Sequence, residues 1–325
     1  MKAILCTPPG DAAVLQIGET PPPTLQQGQV RIRVRASGVN RADIHQRMGN
    51  YPPPLGESAI IGLEVAGDVI EVAADAKLWH VGDRVMALVA GGGYAEEVCV
   101  DQGLVLPLPA RLSYVEGAAI PEAFITAHLN LFTLGGAGPS STVLIHAGAS
   151  GVGTAGIQML RSVGARVFAT VGSDDKADAV ERLGARAIRY RSEQFDNVVL
   201  AETNGRGANV ILDPVGASYL SANFKCLAVD GRQVQIGLLG GRTGTIDLGM
   251  LLTKRIRLIG STLRALLLDR KRAAVAAFRD QFLADLDAGL LTPIMDKSFP
   301  AAEVADAHAR MEANQNIGKI VLRWD

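Results

Sequence analysis

Small residues follow a short β-branched run near the middle of the chain, and an amphipathic segment comes next. Residues 147–153 read Ala-Gly-Ala-Ser-Gly-Val-Gly. Beyond them apolar side chains repeat at helical spacing and a glycine follows where a helix would end: Ile157, Leu160, Val163 and Gly164. Small residues let a backbone approach phosphates, and a helix N-terminus presents unpaired N–H groups and a positive dipole. The spacing therefore predicts a strand, a turn and a helix that bind the pyrophosphate of a dinucleotide.

The glycines of this turn do not follow the Gly-x-Gly-x-x-Gly pattern of many dinucleotide folds. One alternative is a tight strand-to-helix turn without a ligand. A second is the nucleophile elbow of hydrolases, Gly-x-Ser-x-Gly, which Gly148 and Ser150 match and Val152 does not. We favour the cofactor-binding turn, because the flanking strand and helix supply the context that such a motif needs.

The choice of dinucleotide depends on the residue that follows the second strand of such a fold. Residues 167–171 are that strand, and Gly172 stands where an Asp or Glu would bond to the ribose 2′-OH of NAD. Ser173 offers a hydroxyl and Lys176 a cation, and this pair suits a 2′-phosphate. The sequence therefore favours NADPH over NADH.

Ser173 has a second interpretation as the N-cap of the next helix, and both roles are compatible. Asp174 and Asp175 suit the first turn of that helix, but either carboxylate would repel a phosphate if it turned toward it. The preference for NADPH thus depends on the direction of these two carboxylates.

The composition limits the classes of function. The 325 residues are 48% hydrophobic and 20% charged with a formal net charge of −1, so no electrostatic argument exists for a nucleic-acid or anionic-membrane partner. Cys6, Cys99 and Cys226 are odd in number and far apart, which favours a reduced compartment over a disulfide framework. The apolar run at the N-terminus is too short for a signal peptide, and no run reaches membrane-spanning length. The cytosol is the expected location.

Two patterns divide the chain. Residues 1–120 are turn-rich and strand-like, and residues 30–36 alternate with period two as in a half-buried strand. From residue 121 short apolar strands alternate with helical segments, which indicates βαβ units and a parallel sheet. The strands are predicted at 142–147, 166–171, 187–189, 209–213, 233–238, 256–261 and 317–323, and the helices at 122–135, 151–163, 175–183, 218–228 and 272–288, with Gly184 and Gly231 closing two of them. The predicted domains are 1–121 with 266–325, and 122–265.

Six segments in this order resemble the zinc-free quinone oxidoreductase branch of the medium-chain dehydrogenase/reductase superfamily, which includes the zeta-crystallins. They are residues 36–43, 62–67, 81–85, 146–153, 213–216 and 316–322. The resemblance covers essentially the whole chain. It implies an α/β protein with a GroES-like β-rich barrel domain for the substrate and a Rossmann domain, a doubly wound parallel sheet, for NADPH. It also implies an active cleft between the domains and a homodimer joined through the edge strands of the cofactor domains, at residues 256–261.

Zinc-dependent relatives in this superfamily carry a Cys and a His where this chain has Asn40 and Leu63. Glu64 completes the matching Gly-His-Glu segment, but one carboxylate does not hold a catalytic zinc ion. The resemblance therefore implies hydride transfer from the nicotinamide without a metal.

The resemblance also implies which residues bind the cofactor. Those expected to hold its pyrophosphate are Ser150, Gly151, Val152 and Gly153, and those expected at the 2′-phosphate are Gly172, Ser173, Lys176 and Tyr190. Those expected at the fourth-strand turn, at the nicotinamide amide and in the segment that closes over the cofactor are Gly216, Ile236, Gly237, Leu238, Asn316, Gly318 and Lys319. Thr126 is expected near the nicotinamide.

Four polar residues are the candidates for the substrate pocket: Asn40, Asp43, Gln46 and Tyr51. Three of them also have a structural interpretation, Asn40 as a turn residue, Asp43 as a helix cap and Tyr51 as packing beside a proline loop. Asn40 and Tyr51 are the expected donors of hydrogen bonds to the oxyanion that develops during hydride transfer.

The implied reaction is the reduction of a quinone or another planar electrophile by NADPH, as a hydride or as single electrons. An alternative is the reduction of an activated C=C bond in an enone, an alkenal or an enoyl thioester, for which Arg41, Arg47 and Tyr51 offer a basic groove and an acid. A further alternative is a non-catalytic NADPH-binding protein, against which the complete set of cofactor motifs argues.

Overall fold

A computed structural model describes residues 1–324, which form two units. The first unit contains Met1–Ile125 and the chain from Leu263 onward, and the second contains Thr126–Thr262. The chain therefore leaves the first unit, builds the second, and returns. The boundaries expected from the sequence were 121/122 and 265/266.

Strands dominate the first unit, and strands alternate with helices in the second. The elements up to residue 128 are β1 (Lys2–Cys6), β2 (Leu15–Glu19), β3 (Gln29–Val39), α1 (Arg41–Arg47), β4 (Glu64–Val72), β5 (Arg84–Leu88), β6 (Glu97–Asp101), β7 (Val105–Pro107), α2 (Tyr114–Gly117) and α3 (Pro121–His128). Those of the second unit are β8 (Thr142–Ile145), α4 (Gly151–Ser162), β9 (Arg166–Val171), α5 (Asp174–Arg182), β10 (Arg186–Arg189), α6 (Phe195–Glu202), β11 (Ala208–Asp213), α7 (Leu220–Cys226), β12 (Leu227–Gln235), α8 (Leu248–Lys254) and β13 (Arg257–Gly260). The last are α9 (Leu268–Asp287), β14 (Met295–Pro300), α10 (Val304–Glu312) and β15 (Lys319–Arg323).

Alternating side chains build the central strand of the first unit. β3 buries Val30, Ile32 and Val34 and exposes Arg33 and Arg35, which confirms the predicted half-buried strand. β3 belongs to a seven-stranded sheet of order β14-β15-β3-β4-β5-β7, in which β6 also pairs with β3. β15 pairs antiparallel with β3, with Ile320 opposite Val39. This pairing brings residues about 280 positions apart into one site.

The second unit is a six-stranded sheet of order β10-β9-β8-β11-β12-β13, and every pairing along it is parallel. Numbered from β8, this order is 3-2-1-4-5-6, the order of a doubly wound dinucleotide fold. Its strand order reverses between β8 and β11, and ligands of such sheets bind at that point, beyond the carboxyl ends of the strands. Phe168, Phe224 and Ile211 are fully buried in its core.

Several predicted boundaries differ from the observed ones. The helix predicted at 122–135 is α3 followed by a π-helical turn at Leu129–Leu134. The helix predicted to run to residue 228 ends at Cys226, and Gly231 lies inside β12 instead of closing that helix. Gly231 is needed there because a Cβ would lie 2.8 Å from the carbonyl oxygen of Ala228. α6, α8 and α10 were not predicted.

Among the described residues, every helix is too short or too polar to cross a membrane.

Candidate functional site

The glycine-rich turn lies between β8 and α4, at the switch point of the parallel sheet. Ala147 has a φ of +53°, and Gly148 donates its N–H to the carbonyl of Thr170 at 2.9 Å. A Cβ on Gly153 would lie 2.5 Å from the carbonyl oxygen of Gly148, so only a glycine at this position allows the helix to start so close to the turn. Ser150 is the N-cap of α4, and its Oγ accepts the N–H of Gly153 at 3.0 Å. The remaining N–H groups at the start of α4 are suited to bind a phosphate.

A buried polar network supports this turn. His146 Nε2 bonds to Oδ1 of Asn223 at 2.7 Å, and Asn223 donates through Nδ2 to Asp213 at 2.9 Å. Since Asn223 Oδ1 only accepts, His146 carries its proton on Nε2, and Nδ1 accepts the hydroxyl of Thr170 at 3.1 Å. Thr170 Oγ1 in turn accepts the N–H of Ala147 at 3.3 Å. Burial lowers the pKa of His146, which keeps the ring neutral in this role.

The same network fixes the turn after β11. Asp213 Oδ1 accepts the N–H groups of Val215 at 2.6 Å and Gly216 at 2.9 Å, and Gly216 has a φ of +90°. The N–H of Ile236 donates to the carbonyl of Asp213 at 2.9 Å. A Cβ on Gly237 would lie 2.8 Å from the carbonyl oxygen of Pro214. Gly216 and residues 236–238, all predicted to contact the cofactor, therefore meet at the ends of β11 and β12.

Three of the residues expected at a 2′-phosphate, Gly172, Ser173 and Tyr190, also lie together. Gly172 follows β9, and a Cβ on it would lie 2.7 Å from the hydroxyl of Tyr190. Ser173 is exposed at the start of α5 and makes no capping bond, and its hydroxyl has no partner within residues 1–324. Asp174 pairs with Arg189 at 2.6 Å, which directs this carboxylate to a cation. Ser173 thus keeps a free hydroxyl for a ligand.

Three polar side chains form a cluster in the first unit, in which Glu64 and Lys319 are buried. Nζ of Lys319 donates to Oε1 of Glu64 at 2.6 Å, Oδ1 of Asn40 at 2.6 Å and the carbonyl of Val39 at 3.0 Å. Asn40 Nδ2 also donates to Oε1 of Glu64, at 2.9 Å. Gly38 is required beside them, because a Cβ there would overlap with that carboxylate oxygen. These bonds use all three donors of Lys319. This predicted cofactor residue therefore lies beside a predicted substrate residue and keeps no donor for a phosphate.

The positions that hold zinc in metal-dependent relatives are Asn40, Leu63 and Glu64 here. Leu63 offers no donor atom, and the Glu64 carboxylate already carries the ammonium of Lys319. A second cation at this carboxylate would be repelled by that ammonium. Among residues 1–324, His, Cys, Asp and Glu side chains form no group of three that suits a metal ion. A catalytic zinc ion does not fit this set of side chains.

Asp43 lies under this cluster, fully buried in α1. Its Oδ2 accepts the N–H of Asn40 at 2.7 Å, so it holds the backbone of that residue, and Tyr94 donates its hydroxyl to the same oxygen at 3.2 Å. Its Oδ1 has no hydrogen-bond partner in the described part of the chain. Burial raises the pKa of Asp43 to about 7, Lys319 acts in the opposite direction and Glu64 adds to the increase.

A chain of hydrogen bonds continues from Tyr94 into α10. The Tyr94 hydroxyl lies 3.1 Å from Nε2 of His308, and Nη1 of Arg47 lies 3.4 Å from Nδ1 of the same ring. Since arginine only donates, Nδ1 accepts and Nε2 carries the proton. Burial and Arg47 lower the pKa of His308 to about 3. Arg47 is fully buried and forms two bonds to Glu312, at 2.9 and 2.6 Å, so it does not line the basic groove expected for an enoyl thioester.

Gln46 and Tyr51 are joined by Arg264, a residue that was not predicted from the sequence. Arg264 is 5% exposed and donates to Oε1 of Gln46 at 2.7 Å and to the carbonyl of Ala90 at 2.7 Å. Its guanidinium lies 5.3 Å from the centre of the Tyr51 ring. Burial raises the pKa of Tyr51, Arg264 opposes this increase, and Glu122 adds to it. Every hydrogen-bond acceptor of Arg264 is neutral, which leaves a fixed positive charge among the predicted substrate residues.

Glu122, in the first turn of α3, was also missed. Its N–H donates to Oε2 of Glu64 at 2.9 Å. Its own carboxyl group, half-buried, has no hydrogen-bond or ion-pair partner within the described residues. Burial raises the pKa of Glu122 to about 8, and Glu64 and Asp43 add to this increase while Lys319 and Arg264 oppose it. One sequence signal exists for this residue, a single charge inside the apolar run 118–127.

The start of α3 acts against this increase, because a helix N-terminus stabilises a carboxylate by about 1 kcal/mol or less at an ordinary site. One pKa unit corresponds to about 1.4 kcal/mol. The helix dipole is therefore too weak to cancel the effect of burial on Glu122.

The remaining predicted residues lie at separate places. Thr126 has a buried Oγ1 without a hydrogen-bond partner in the described chain, so a polar ligand atom would satisfy it. Asn316 donates through Nδ2 to the carbonyl of Gly318 at 3.0 Å, and a Cβ on Gly318 would overlap with the carbonyl of Ile294. This accounts for Asn316 and Gly318 as a tight turn before β15.

Comparisons with known proteins place this geometry in a family. Residues 26–110 match the model of the alcohol dehydrogenase GroES-like domain, and residues 151–279 match the model of zinc-binding dehydrogenases. The human synaptic vesicle membrane protein VAT-1 homolog is 31% identical over 96% of this chain and 83% of its own length. The chain belongs to the medium-chain dehydrogenase/reductase superfamily. A quinone oxidoreductase-like protein 2 homolog of Nematostella vectensis is 31% identical over 80% of this chain and 71% of its own length.

Solved structures of this superfamily agree over the whole length. An Escherichia coli quinone oxidoreductase complexed with NADPH is 26% identical with a TM-score of 0.89, and each chain is covered completely. The CurK enoyl reductase is 26% identical with a TM-score of 0.88, over 99% of this chain and 98% of the other. These matches confirm the predicted α/β fold with a GroES-like and a Rossmann-like part. The chain is an oxidoreductase of this superfamily.

Proposed function

We propose that this chain is a zinc-independent NADPH:quinone oxidoreductase. The observation that carries the proposal is the ammonium of Lys319, held by Asn40 and Glu64 at the position where zinc-dependent relatives bind a metal. It replaces the metal with a fixed charge and leaves the nicotinamide as the reducing group. A bound NADPH would supply a hydride or single electrons to the substrate.

The second unit supports NADPH as the cofactor. Residues 150–153 and the turn at Gly216 would hold the pyrophosphate, and the exposed hydroxyl of Ser173 would bond to the 2′-phosphate. Of the two carboxylates that would oppose this, Asp174 is paired with Arg189. The proposal also agrees with the E. coli quinone oxidoreductase, a structural neighbour that binds NADPH.

The first unit would bind and orient the substrate oxygen. Asn40 is fixed by Glu64 and Lys319, so an oxyanion beside its amide meets a donor that does not need to reorganise. Tyr51 has a hydroxyl without a hydrogen-bond partner in the described chain, and Arg264 beside it supplies a positive charge. Together they would stabilise the hydroquinone anion that forms when a quinone accepts a hydride.

Steady-state oxidation of NADPH across o-quinones, p-quinones, enones and enoyl-CoAs, with NADH in parallel, tests this function. We expect turnover of quinones and a preference for NADPH. Turnover of enoyl-CoAs without quinone activity would replace the leading proposal with the reduction of C=C bonds. Failure to bind NADPH would overturn both. Elemental analysis is expected to find less than one zinc ion per chain.

Reduction of an activated C=C bond is the second candidate. Two observations favour it, the structural match to the CurK enoyl reductase and the unpaired carboxyl group of Glu122. An enolate needs a proton on carbon, which a neutral acid in the site can provide. The buried ion pair of Arg47 counts against a carrier-binding groove at that residue.

We further propose a homodimer joined through β13, the last strand of the six-stranded sheet. β13 pairs with β12 on one side only, and Leu258 on it is 45% exposed. Leu248 and Leu252 of α8 are 61% and 74% exposed. A second copy would pair with the open edge and cover these leucines.

We also propose the cytosol as the location of this protein, because Cys6, Cys99 and Cys226 are free thiols.

A further inference from the structure

The carboxyl group of Glu122 has no evident role in holding the fold together. Helix α3 holds its backbone, and its N–H donates to Oε2 of Glu64 at 2.9 Å. Its carboxyl oxygens, in contrast, make no hydrogen bond or ion pair within residues 1–324. A carboxyl group half-buried without a partner is costly to ionise, and most such groups in proteins find a donor. The backbone is therefore fixed while the acid group is left available.

The carboxylate of Glu64 bonds both to Glu122 and to Asn40, the leading candidate for binding the substrate. Oε2 of Glu64 accepts the N–H of Glu122, and Oε1 accepts the amide of Asn40 and the ammonium of Lys319. Glu64 is fully buried, so this bridge does not move independently of β4. The backbone of Glu122 and the amide of Asn40, which would bind the substrate oxygen, are thus bonded to the two oxygens of one carboxylate.

Glu122 also lines a small, largely apolar cavity. Leu88, Leu104 and Leu263 line it together with Arg264 and Lys271. Arg264 also donates to Gln46, which links the cavity to a second candidate substrate residue.

Four charged residues act on the pKa of Glu122, and Lys271 of α9 lines the same cavity. Glu64 in β4 and Asp43 in α1 are negative neighbours, and Lys319 in β15 and Arg264 before α9 are positive ones. With burial as the largest effect, the pKa of Glu122 rises to about 8. At neutral pH this residue therefore carries a proton that it can donate.

We propose that Glu122 is the acid that protonates the anion formed by reduction of the substrate. This inference rests on the proposed reductase function. When a quinone or an enone has accepted a hydride, the O–H bond of Glu122 breaks and a new O–H or C–H bond forms on the substrate anion. The electron pair stays on Glu122 as a carboxylate, and water returns the proton before the next turnover. Lys319 and Arg264 stabilise this carboxylate while it exists.

Two nearby residues are rival donors. Asp43 is 0% exposed, so it lacks access to a ligand. Tyr51 has an accessible hydroxyl, but burial raises its pKa above the ordinary value for a phenol, which makes it the weaker acid of the two. Glu122 combines access with a pKa near the working pH, which is the optimum for acid catalysis.

The first arm of the test uses the free protein. Infrared titration of the wild type should show the C=O band of a neutral carboxylic acid at pH 7, lost with a midpoint of about 8. This component should be missing in Glu122→Gln and present in Glu303→Gln, which removes an exposed carboxylate of the same unit. A wild-type spectrum that matches that of Glu122→Gln at pH 7 would overturn the proposal.

The second arm is the pH profile of kcat with the best quinone and the best enone. The wild type should lose activity above a midpoint of about 8. Glu122→Gln should lower kcat on the order of 100-fold and abolish that decline, with KM little changed. Glu303→Gln should match the wild type. A decline retained in Glu122→Gln but lost in Tyr51→Phe would assign the proton to Tyr51. An inactive wild type would overturn the reductase function and this role with it, whatever the infrared band shows.

Discussion

The ammonium of Lys319 lies 2.6 Å from Oε1 of Glu64, and the two side chains are 5% and 0% exposed. The pairing of β15 with β3 brings them together across 255 residues of sequence. A buried pair of this kind is costly to break, because the remaining charge has no water to solvate it.

Lys319→Met should therefore destabilise the protein by about 3–5 kcal/mol, since it leaves the Glu64 carboxylate buried without a cation. Urea unfolding measures this loss. The double variant Lys319→Met/Glu64→Gln should recover a large part of it, because no unpaired charge remains. Lys2→Met, at an exposed lysine, is the control and should change little. A double variant as unstable as the single one would show that the ion pair is not the cause.

Ser173→Asp should weaken NADPH binding roughly 10- to 100-fold and NADH binding much less, because it replaces a neutral donor with a charge that repels the 2′-phosphate. Titration of each cofactor by calorimetry measures both affinities. Ser162→Asp, at the last residue of α4, makes the same change of charge away from the predicted site and should alter neither. Equal losses for the two cofactors would contradict the placement of the phosphate at Ser173.

The pH dependence of stability should include a contribution from Glu122. Its pKa is about 8 in the folded protein and 4.5 in an ordinary environment, so the folded state binds one more proton than the unfolded chain between these values. Stability from this group therefore falls as pH rises across that range, by up to about 1.4 kcal/mol per pH unit. Glu122→Gln should gain stability relative to the wild type over the same range. Parallel stability curves for the two proteins would exclude the raised pKa.

Thr170→Val should lower both stability and NADPH affinity. The change keeps the shape of the side chain but removes the hydroxyl that joins His146 to the N–H of Ala147. The loss of stability should be about 1–3 kcal/mol, the cost of buried polar groups left without partners. Thermal unfolding and cofactor titration measure the two effects, with the exposed Thr243→Val as the control. Normal NADPH affinity in Thr170→Val would show that the polar network does not support the cofactor-binding turn.

Leu258→Arg should convert the proposed dimer to a monomer, because it places a charge on the open edge strand. Sedimentation velocity distinguishes the two states. Leu267→Arg is the matched control at a leucine that is 80% exposed in the other unit. A wild-type protein that sediments as a monomer would overturn the proposed dimer itself.

The sequence alone predicted the parallel sheet well, because its signals are local. Apolar runs and helical spacing located β9 at Arg166–Val171, where prediction and structure coincide, and α4 to within one residue. The prediction for Gly231 was wrong for a local reason too. The sequence does not distinguish a glycine that ends a helix from a glycine that a strand needs for close backbone packing. Gly231 is of the second kind and lies inside β12.

The polar cluster of the first unit was predicted only in part. Asn40 and Asp43 were recognised near one another in sequence, but Lys319 was assigned to the cofactor. Its contact with Asn40 depends on the pairing of β15 with β3, which no local pattern encodes. Arg264 and Glu122 were missed because a charge is informative only when its burial and its partners are known.

The residues that would choose between NADPH and NADH are set apart from those that shape the phosphate turn. Gly172 and Ser173 lie between β9 and α5, Tyr190 follows β10 with its hydroxyl near Gly172, and Ser173 and Tyr190 are exposed. The turn itself depends on the buried bonds of His146 and Asp213. Selection could therefore exchange one cofactor for the other by a few surface substitutions, with no repacking of the interior. A change of coenzyme during the evolution of this chain would therefore need few mutations.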